Sequence, residues 1–149
     1  KKRGFKDLFI EIGGEIRCGG FNKMGKDWVI GIDSPLENSR QSIYTTVQLR
    51  NTALATSGNY RNYLERQGEK INHSINPFTG KPVKTNVLSV SVKSENCLNA
   101  DAWATALMIM TYDDGIEKIN GLDEIEAFWI LSDTDGNINQ RYTESFFNN

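Results

Sequence analysis

The chain has 149 residues, of which 38% are hydrophobic and 24% charged, and its formal net charge is −2. This length is enough for one domain with a sizeable core. Both signs of charge are spread along the sequence without a basic stripe, which excludes the electrostatic footprint of a nucleic-acid-binding protein. The longest apolar runs, such as residues 104–110, are far shorter than a membrane-spanning helix.

Strand-like segments dominate the first third of the chain. Apolar alternation predicts strands at residues 8–12 and 28–32, and a run rich in β-branched side chains predicts a third at residues 43–50. Between the first two strands, the pair Gly13 and Gly14 indicates a β-bulge or a close approach of the backbone to a ligand.

The middle of the chain contains a predicted hairpin followed by a loop. Residues 59–75 are predicted to turn near Gln67 and Gly68, with a short helix over residues 59–66 as the alternative. Proline and glycine then predict a loop at residues 76–82. A clean strand pattern follows at residues 87–92.

The strongest helix pattern covers residues 99–110, with Asn99 as the N-cap and Asp101 in the first turn. A second short helix is predicted at residues 115–119. Residues 126–132 and 138–142 then form a final hairpin.

These elements predict an α+β fold. Most strands are adjacent in sequence, which favours an antiparallel sheet, and the sheet is accompanied by one main helix and a second short helix. We expect a single domain over residues 1–149.

Two cysteines, Cys18 and Cys97, lie 79 residues apart and show no metal-ligand spacing. We expect two ordinary half-buried thiols, although the sequence alone leaves a disulfide open.

The first candidate site is the pair Asp101 and Thr105. They lie four residues apart in the predicted helix, so both side chains project from one face. A carboxylate and a hydroxyl suit a hard cation such as Mg²⁺. The alternative is that Asp101 favours the helix dipole and Thr105 packs in the core.

Two further segments have residue types suited to catalysis. His73, the single histidine, stands where a strand runs into the Pro/Gly loop, and histidine is the usual general acid or base near neutral pH. A purely structural histidine is the alternative. Residues 56–61, with Ser57 and Arg61, could line a phosphate site or form an ordinary turn.

The segment from Asp133 to Asn137 resembles the start of a calcium-binding loop, but its spacing fails further along. A hairpin turn explains its Asp-Gly and Gly-Asn pairs better.

Taken together, five stretches resemble the FAD:protein FMN transferases, also called the ApbE or thiamine-biosynthesis-lipoprotein family. The resemblance covers nearly the whole chain, and the TSGNYRNY, HSINPFTGKPV and NADAWATALM blocks are specific in combination. The stretches are IEIGGEIRCGG at 10–20, WVIGIDSP at 28–35, ATSGNYRNYLERQGEKINHSINPFTGKPV at 55–83, VLSVSVKSENCLNADAWATALMIM at 87–110 and EAFWILSDTDGN at 126–137.

The resemblance implies a T-fold-like architecture and an activity. Such an enzyme cleaves the pyrophosphate of FAD and attaches FMN through a phosphoester to a Thr or Ser of an acceptor flavoprotein, using Mg²⁺. FAD is therefore a substrate, and the acceptor protein is a partner.

The resemblance also implies roles for individual residues. Asp101 and Thr105 match the side-chain ligands of Mg²⁺, and the backbone carbonyl of Ala104 is a further candidate ligand. His73 matches the family's histidine in or beside the catalytic centre. Other positions match the FAD site or are candidates to contact its phosphates: Gly13, Gly14, Ser57, Arg61 and Leu88.

The chain also departs from the family pattern. Full-length members carry an N-terminal part of roughly this size, with much of the FAD site, and no such segment precedes Phe5. An aspartate often seen before the proline of the histidine block is Asn76 here. We therefore expect the isolated chain to bind FAD weakly or not at all, and to lack full activity.

Localisation rests on the resemblance alone. Family members are exported and held by a lipid anchor on the periplasmic face of the bacterial inner membrane. The chain starts at Lys1 with no visible signal peptide, which is typical of a fragment or a processed product.

Two rival functions remain open. One is a flavin-binding or flavin-storing protein, or a Mg²⁺-dependent FAD pyrophosphatase that releases FMN and AMP. The other is a β-rich interaction domain in which Asp101 and Thr105 only pack or cap the helix.

Overall fold

A computed structural model describes residues 3–35, 42–59, 63–66, 69–72, 74–77, 79–83 and 85–148, with backbone only for 63–66 and 69–72. The fold is α+β with mostly antiparallel strands, as predicted. No helix in these ranges is long and apolar enough to cross a membrane. The elements are β1 (Leu8–Ile12), β2 (Glu15–Gly19), β3 (Trp28–Asp33), β4 (Ile43–Leu49), β5 (Ala53–Gly58), β6 (Tyr63–Arg66), β7 (Glu69–Asn72), β8 (Val87–Ser94), α1 (Cys97–Met108), α2 (Tyr112–Ile119), β9 (Glu126–Ser132) and β10 (Ile138–Tyr142).

The main sheet has six strands in the order β1-β2-β5-β8-β9-β10, and every neighbouring pair is antiparallel. β3 and β4 form a separate two-stranded ribbon. β6 and β7 form the predicted hairpin, because Arg66 pairs with Glu69, although residues 67 and 68 lie outside the described part. The alternative of a helix over residues 59–66 is wrong, since residues 63–66 are a strand.

The two faces of the main sheet bury two separate hydrophobic cores. Side chains alternate between the faces along each strand, so the same strand serves both cores. We call the core under α1 and α2 the helix-side core and the core under the ribbon the ribbon-side core. The helix-side core includes Ala53, Ala55, Val90, Val92, Leu107 and Trp129, and the ribbon-side core includes Cys18, Ile32, Val47, Leu54, Phe128 and Phe146.

A β-bulge interrupts β8. Val87 pairs with Leu131 and Ser89 pairs with Ile130, so Leu88 is an extra residue without a partner on β9. The extra residue shifts by one position the alternation of β8 side chains between the two faces of the sheet. Val87 and Val90, three residues apart, therefore both point into the helix-side core, while Leu88 packs on the ribbon side.

The start of α1 differs from the prediction. Asn96, not Asn99, is the N-cap: its backbone is extended, and its side-chain oxygen accepts a hydrogen bond from the backbone N–H of Asn99 at 2.9 Å. The two asparagines are three residues apart, so the residue predicted as the cap is its hydrogen-bond donor. Asp101 consequently lies in the second turn of the helix rather than the first.

The start of α2 is also earlier than predicted. Thr111 is its N-cap and accepts the backbone N–H of Asp114 at 3.2 Å. Gly115, predicted as the first helical residue, is buried inside the helix. A Cβ at that position would lie 3.1 Å from a methyl carbon of Leu107, so glycine permits close packing there.

The sequence patterns did not predict two of the strands, β2 and β5. β2 and β5 contain many small or polar residues and lack the β-branched runs that indicate a strand. β5 nevertheless pairs with β2 on one side and β8 on the other. The segment around Ser57, predicted as a phosphate site or a turn, is the end of this strand.

Both cysteines are free thiols. Cys18 is buried in the ribbon-side core, whereas Cys97 begins α1 on the opposite face of the sheet and donates to the carbonyl of Ile16 at 3.5 Å. Burial raises the pKa of the Cys18 thiol to about 11, against a smaller opposing effect of Arg17.

A buried lysine fixes the C-terminal segment. The Nζ of Lys93 donates to the carbonyl oxygens of Phe146 at 2.9 Å, Ser145 at 3.4 Å and Asn148 at 2.5 Å. Phe146 is fully buried, and its ring stacks on Phe128 with centroids 5.5 Å apart. Burial lowers the pKa of Lys93, and the nearby Glu126 opposes this shift.

Replacement of Lys93 by methionine keeps the length of the side chain but removes this donor. We expect Lys93→Met to lower the free energy of unfolding by about 2 kcal/mol, because the buried carbonyl oxygen of Phe146 loses its partner. Urea denaturation measures the effect. The exposed Lys23→Met is the control and should stay within about 0.5 kcal/mol of the parent. Equal losses in both variants would contradict the interpretation.

The two thiols should differ in reactivity. At pH 8 the native chain should react with Ellman's reagent at one thiol, Cys97, because Cys18 is buried and protonated. Both thiols should react in guanidinium chloride. The variant Cys97→Ala should show no fast thiol in the native state, and rapid native labelling of this variant would disprove the assignment.

Candidate functional site

Helix α1 presents Asp101 and Thr105 at its surface. The residues that face the core are Ala100, Ala104, Leu107 and Met108, all buried. Asp101 and Thr105 each follow a core residue by one position, so they lie beside this buried stripe, and both are exposed. The helix therefore anchors both side chains while leaving them open to a ligand.

Strand β5 brings Ser57 to Thr105. The Ser57 Oγ lies 3.3 Å from the Thr105 Oγ1, although the residues are 48 apart in sequence. Together with Asp101, one helical turn earlier, these side chains form a patch of two hydroxyls and a carboxylate. Among the described residues no group of three His, Cys, Asp or Glu side chains could hold a metal ion. A cation bound at this patch would therefore need ligands other than a cluster of His, Cys, Asp or Glu side chains.

Ala104 can contribute only through its backbone. Its side chain is fully buried in the helix-side core, so no part of it reaches the surface patch. Its carbonyl oxygen lies within the body of α1. A helical carbonyl has a second lone pair beyond the one used in the helix ladder, which keeps the prediction of a backbone ligand open.

Gly13 and Gly14 form the two-residue turn between β1 and β2, since Ile12 pairs with Glu15 across them. Their φ angles are +70° and +110°, which explains the choice of glycine at both positions. The predicted β-bulge is therefore a tight hairpin turn. The space around a Cβ built on Gly14 is empty within 4 Å, so a ligand could approach its backbone.

The same turn borders a groove between the main sheet and the ribbon. The groove encloses about 610 Å³, and Glu11, Asp33, Thr56 and Gly58 supply part of its lining. Thr56 also shares a hydrogen bond of 2.7 Å with Ser91 on β8. The sequence did not predict Thr56 or Ser91 at a site, because only the pairing of β5 with β8 brings them together.

We call the surface formed by Asp101, Thr105 and Ser57 the α1 patch. The groove and the α1 patch lie on opposite faces of the sheet and meet at the end of β5. Thr56 points to the groove on the ribbon side, whereas the next residue, Ser57, points to Thr105 on the helix side. A ligand long enough to pass the end of β5 could contact both. This arrangement suits an extended molecule better than a compact one.

The bulge residue Leu88 anchors the chain as it leaves β5. The backbone N–H of Asn59 donates to the Leu88 carbonyl at 3.1 Å, and the Asn59 side chain donates to the Val87 carbonyl at 2.9 Å. Leu88 itself is half-buried against the ribbon-side core. Its predicted position near the flavin stays a prediction.

Two of the predicted site residues, Arg61 and His73, lie outside the described residues. His73 directly follows Asn72, the last residue of β7. Their predicted roles in phosphate binding and catalysis therefore stay predictions.

Asn76 closes the loop after β7. Its side-chain oxygen accepts the backbone N–H of Thr79 at 3.2 Å, and its carbonyl accepts that of Gly80 at 2.8 Å. The Asn76 N–H donates to Lys81 at 2.9 Å. An aspartate could accept the same bond from Thr79, so Asn76 preserves the turn while removing a charge.

The segment after β9 is a hairpin turn, as predicted. The carboxylate of Asp133 accepts the side chain of Asn137 at 3.0 Å and the backbone N–H groups of Asn137 and Asp135 at 2.8 and 2.9 Å. The hydrogen bonds from Asn137 come first in holding the pKa of Asp133 below its ordinary value. The turn accounts for this cluster of oxygen-bearing side chains without a calcium ion.

The comparison with known families decides the membership of the chain. The sequence profile of the ApbE family matches residues 1–129. The chain belongs to the ApbE family. The match includes both glycines of the β1–β2 turn, all of α1 and most of β9.

Curated relatives carry the name FAD:protein FMN transferase. The FAD:protein FMN transferase of Vibrio cholerae serotype O1 is 38% identical over 136 residues, which are 91% of this chain and 40% of the relative. That of Buchnera aphidicola subsp. Schizaphis graminum is 41% identical over 132 residues, or 89% of this chain and 38% of the relative. The chain thus spans about two fifths of the length of these relatives.

Solved ApbE structures share the fold. The flavin transferase ApbE from Vibrio cholerae superposes with a TM-score of 0.80 at 34% identity, covering 97% of this chain and 45% of that one. The ApbE protein from Thermotoga maritima gives a TM-score of 0.76 at 29% identity, covering 95% and 45%. The architecture predicted from the ApbE resemblance is therefore confirmed.

The role of Asn76 can be tested by hydrogen exchange. Asn76→Ala removes the acceptor for the Thr79 amide, so this amide should exchange about fivefold faster, as expected for a bond worth about 1 kcal/mol. Asn76→Asp keeps an acceptor oxygen and should leave the exchange rate close to that of the parent. Equal exchange rates in the parent and Asn76→Ala would show that the side chain does not hold the turn.

Proposed function

We propose that this chain forms the metal- and phosphate-binding part of an FAD:protein FMN transferase. The reaction moves FMN from FAD to a Thr or Ser hydroxyl of an acceptor protein and releases AMP. The observation that carries the proposal is the patch at the end of β5, where Asp101 and Thr105 are exposed and the half-buried Ser57 lies beside Thr105. Membership of the ApbE family and the names of the relatives support it.

The α1 patch fits Mg²⁺ in its chemistry. Asp101 and Thr105 offer the oxygen ligands that this ion prefers, and the single carboxylate leaves room for water and substrate phosphates in the coordination shell. Bound Mg²⁺ would offset negative charge on the diphosphate of FAD during transfer. The carbonyl oxygen of Ala104 is proposed as a third protein ligand.

The remaining residues are proposed to position FAD. The groove beside Thr56 and the Gly13–Gly14 turn would hold one end of the extended substrate, because the backbone there is open to close approach. Ser57 would orient the diphosphate from its place beside Thr105. Arg61 is proposed to contact the phosphates, since a guanidinium binds phosphate oxygens in a bidentate manner.

His73 is proposed as the general base. The acceptor hydroxyl oxygen would attack the phosphorus of the FMN half, the bond to the AMP half would break, and the hydroxyl proton would pass to His73. Its position after β7, in a segment that leads into the Asn76 turn, supports this role. Leu88 is proposed to lie against the flavin, on the ribbon side of the sheet.

The cellular location is proposed from the family alone. We propose that the whole protein is exported and held by a lipid anchor on the periplasmic face of the bacterial inner membrane, where its acceptor flavoprotein would also lie.

The assay should use this chain in place of the matching segment of the Vibrio cholerae relative, because the chain spans 40% of that protein. We expect the chimaera to attach FMN covalently to an acceptor, visible as flavin fluorescence on a denaturing gel. Asp101→Ala should lower the rate more than about 100-fold, since a lost ligand removes the cation. Asp113→Ala, an exposed aspartate of α2, should stay within about twofold.

Two results would contradict the proposal. Equal transfer by the chimaera and its Asp101→Ala variant would remove the metal role of this patch. Release of free FMN and AMP without label on the acceptor would identify an FAD pyrophosphatase instead.

A further inference from the structure

The hydroxyl of Thr105 can hold a cation only through a lone pair of its oxygen. A threonine hydroxyl has one proton to donate and two lone pairs to share. When one lone pair faces a cation, the proton has to point away from the cation, toward an acceptor. The direction of this proton therefore decides whether Thr105 is ready to bind a metal ion.

Helical threonines usually direct this proton within their own helix. The Oγ1 donates to the backbone carbonyl three or four residues earlier, which for Thr105 would be that of Ala102 or Asp101. In the described part of the chain, Thr105 instead forms its hydrogen bond with Ser57, with 3.3 Å between the two oxygen atoms. The hydroxyl is thus oriented by a strand of the sheet rather than by α1.

The Ser57 hydroxyl is itself held in place by the sheet. Ser57 pairs with Val90 of β8, and the amide of Asn59, two residues on, donates to the Leu88 carbonyl at 3.1 Å. Ser57 is half-buried, whereas Thr105 is exposed. Backbone hydrogen bonds on both sides of Ser57 therefore fix the acceptor to which the exposed hydroxyl turns.

Small side chains allow α1 to approach β5 closely at this point. Ala104 directly precedes Thr105, and Ala55 lies two residues before Ser57 on the same face of β5. Both alanines are buried in the helix-side core. Larger side chains there would push the helix away from the strand. Packing in the core consequently sets the distance between the two hydroxyls.

We propose that Ser57 is a positioning residue for Thr105 as a metal ligand. Its Oγ accepts the Thr105 proton and so keeps a lone pair of the Thr105 oxygen directed to a cation beside Asp101. The inference rests on the proposed function, because it takes Asp101 and Thr105 to bind Mg²⁺. The role concerns the metal alone, so it is separate from a contact of Ser57 with the diphosphate.

Mn²⁺ binding by the chimaera, measured without FAD, tests this role. Mn²⁺ is a substitute for Mg²⁺ whose free form is visible by electron paramagnetic resonance, so a titration gives its dissociation constant. Ser57→Ala should raise this constant about tenfold, as is usual when the partner of a metal ligand is removed. Ser57→Thr keeps a hydroxyl on a residue that suits a strand, and it should stay within about threefold of the parent.

A double-mutant cycle separates positioning from an independent effect of Ser57. Thr105→Val keeps the shape of the side chain without its hydroxyl and should raise the dissociation constant at least about tenfold. Adding Ser57→Ala to Thr105→Val should change it by less than about twofold, because Ser57 acts through a hydroxyl that is no longer present. Independent effects would multiply to about 100-fold.

Ser132→Ala is the matched control. Ser132 is a half-buried serine at the end of β9, and its Oγ donates to the Asn86 carbonyl at 3.4 Å. Its replacement removes a comparable hydrogen bond outside the α1 patch and should leave Mn²⁺ binding within about twofold of the parent. Circular dichroism of each variant should match that of the parent, which separates lost binding from lost folding.

Three results would overturn the inference. They are equal Mn²⁺ affinity of the parent and Ser57→Ala, multiplied effects in the double variant, and an equal loss of affinity in Ser132→Ala. Asp101→Ala distinguishes this failure from that of the proposed function. If Asp101→Ala binds Mn²⁺ as tightly as the parent, the metal role of the α1 patch is wrong as a whole. If Asp101→Ala loses Mn²⁺ and Ser57→Ala does not, only the role of Ser57 is wrong.

Discussion

The fold depends on one sheet burying both of its faces. Along β5, Ala53 and Ala55 pack under α1 while Leu54 packs under the ribbon. Burial of apolar surface is the dominant favourable term in folding, so this strand helps to fix the positions of both layers. The same packing holds the last residues of β5 in place. Thr56 and Ser57 face opposite sides of the sheet, so Thr56 lies beside Ser91 and Ser57 lies beside Thr105.

The candidate site therefore lies on packed elements, β5 and α1, where the two cores meet, rather than on a separate loop. The hydroxyls of Ser57 and Thr105 approach because β5 and α1 pack tightly through alanines. The bulge at Leu88 adds the acceptor for the amide of Asn59, the residue that directly follows β5. Sites built on such packed elements hold their side chains more precisely than sites on loops.

Local patterns in the sequence predicted the elements with bulky or strongly patterned residues. β1, β9 and β10 were predicted with the bounds that the structure has, because apolar alternation is a local property. β2 and β5 were missed, since their small and polar residues become a strand only through pairing. The start of α1 was misplaced because Asn96 and Asn99 are equally good caps in isolation.

The candidate site was predictable where it rests on helical spacing. The spacing of four positions from Asp101 to Thr105 is enough to place them on one face. The groove, Thr56 and Ser91 were not predictable, because they depend on contacts between residues 35 apart. The family resemblance supplied the roles, whereas physical reasoning from the residues left the packing alternatives open.

The C-terminal segment that Lys93 holds by hydrogen bonds affects the order in which the two cores can form during biosynthesis. Phe146 fills the ribbon-side core together with Cys18, so this core needs residues from both ends of the chain. During translation the helix side can assemble earlier, but the ribbon side stays incomplete until residue 146 has left the ribosome. An open apolar surface at that stage is a target for chaperones and a hazard for aggregation.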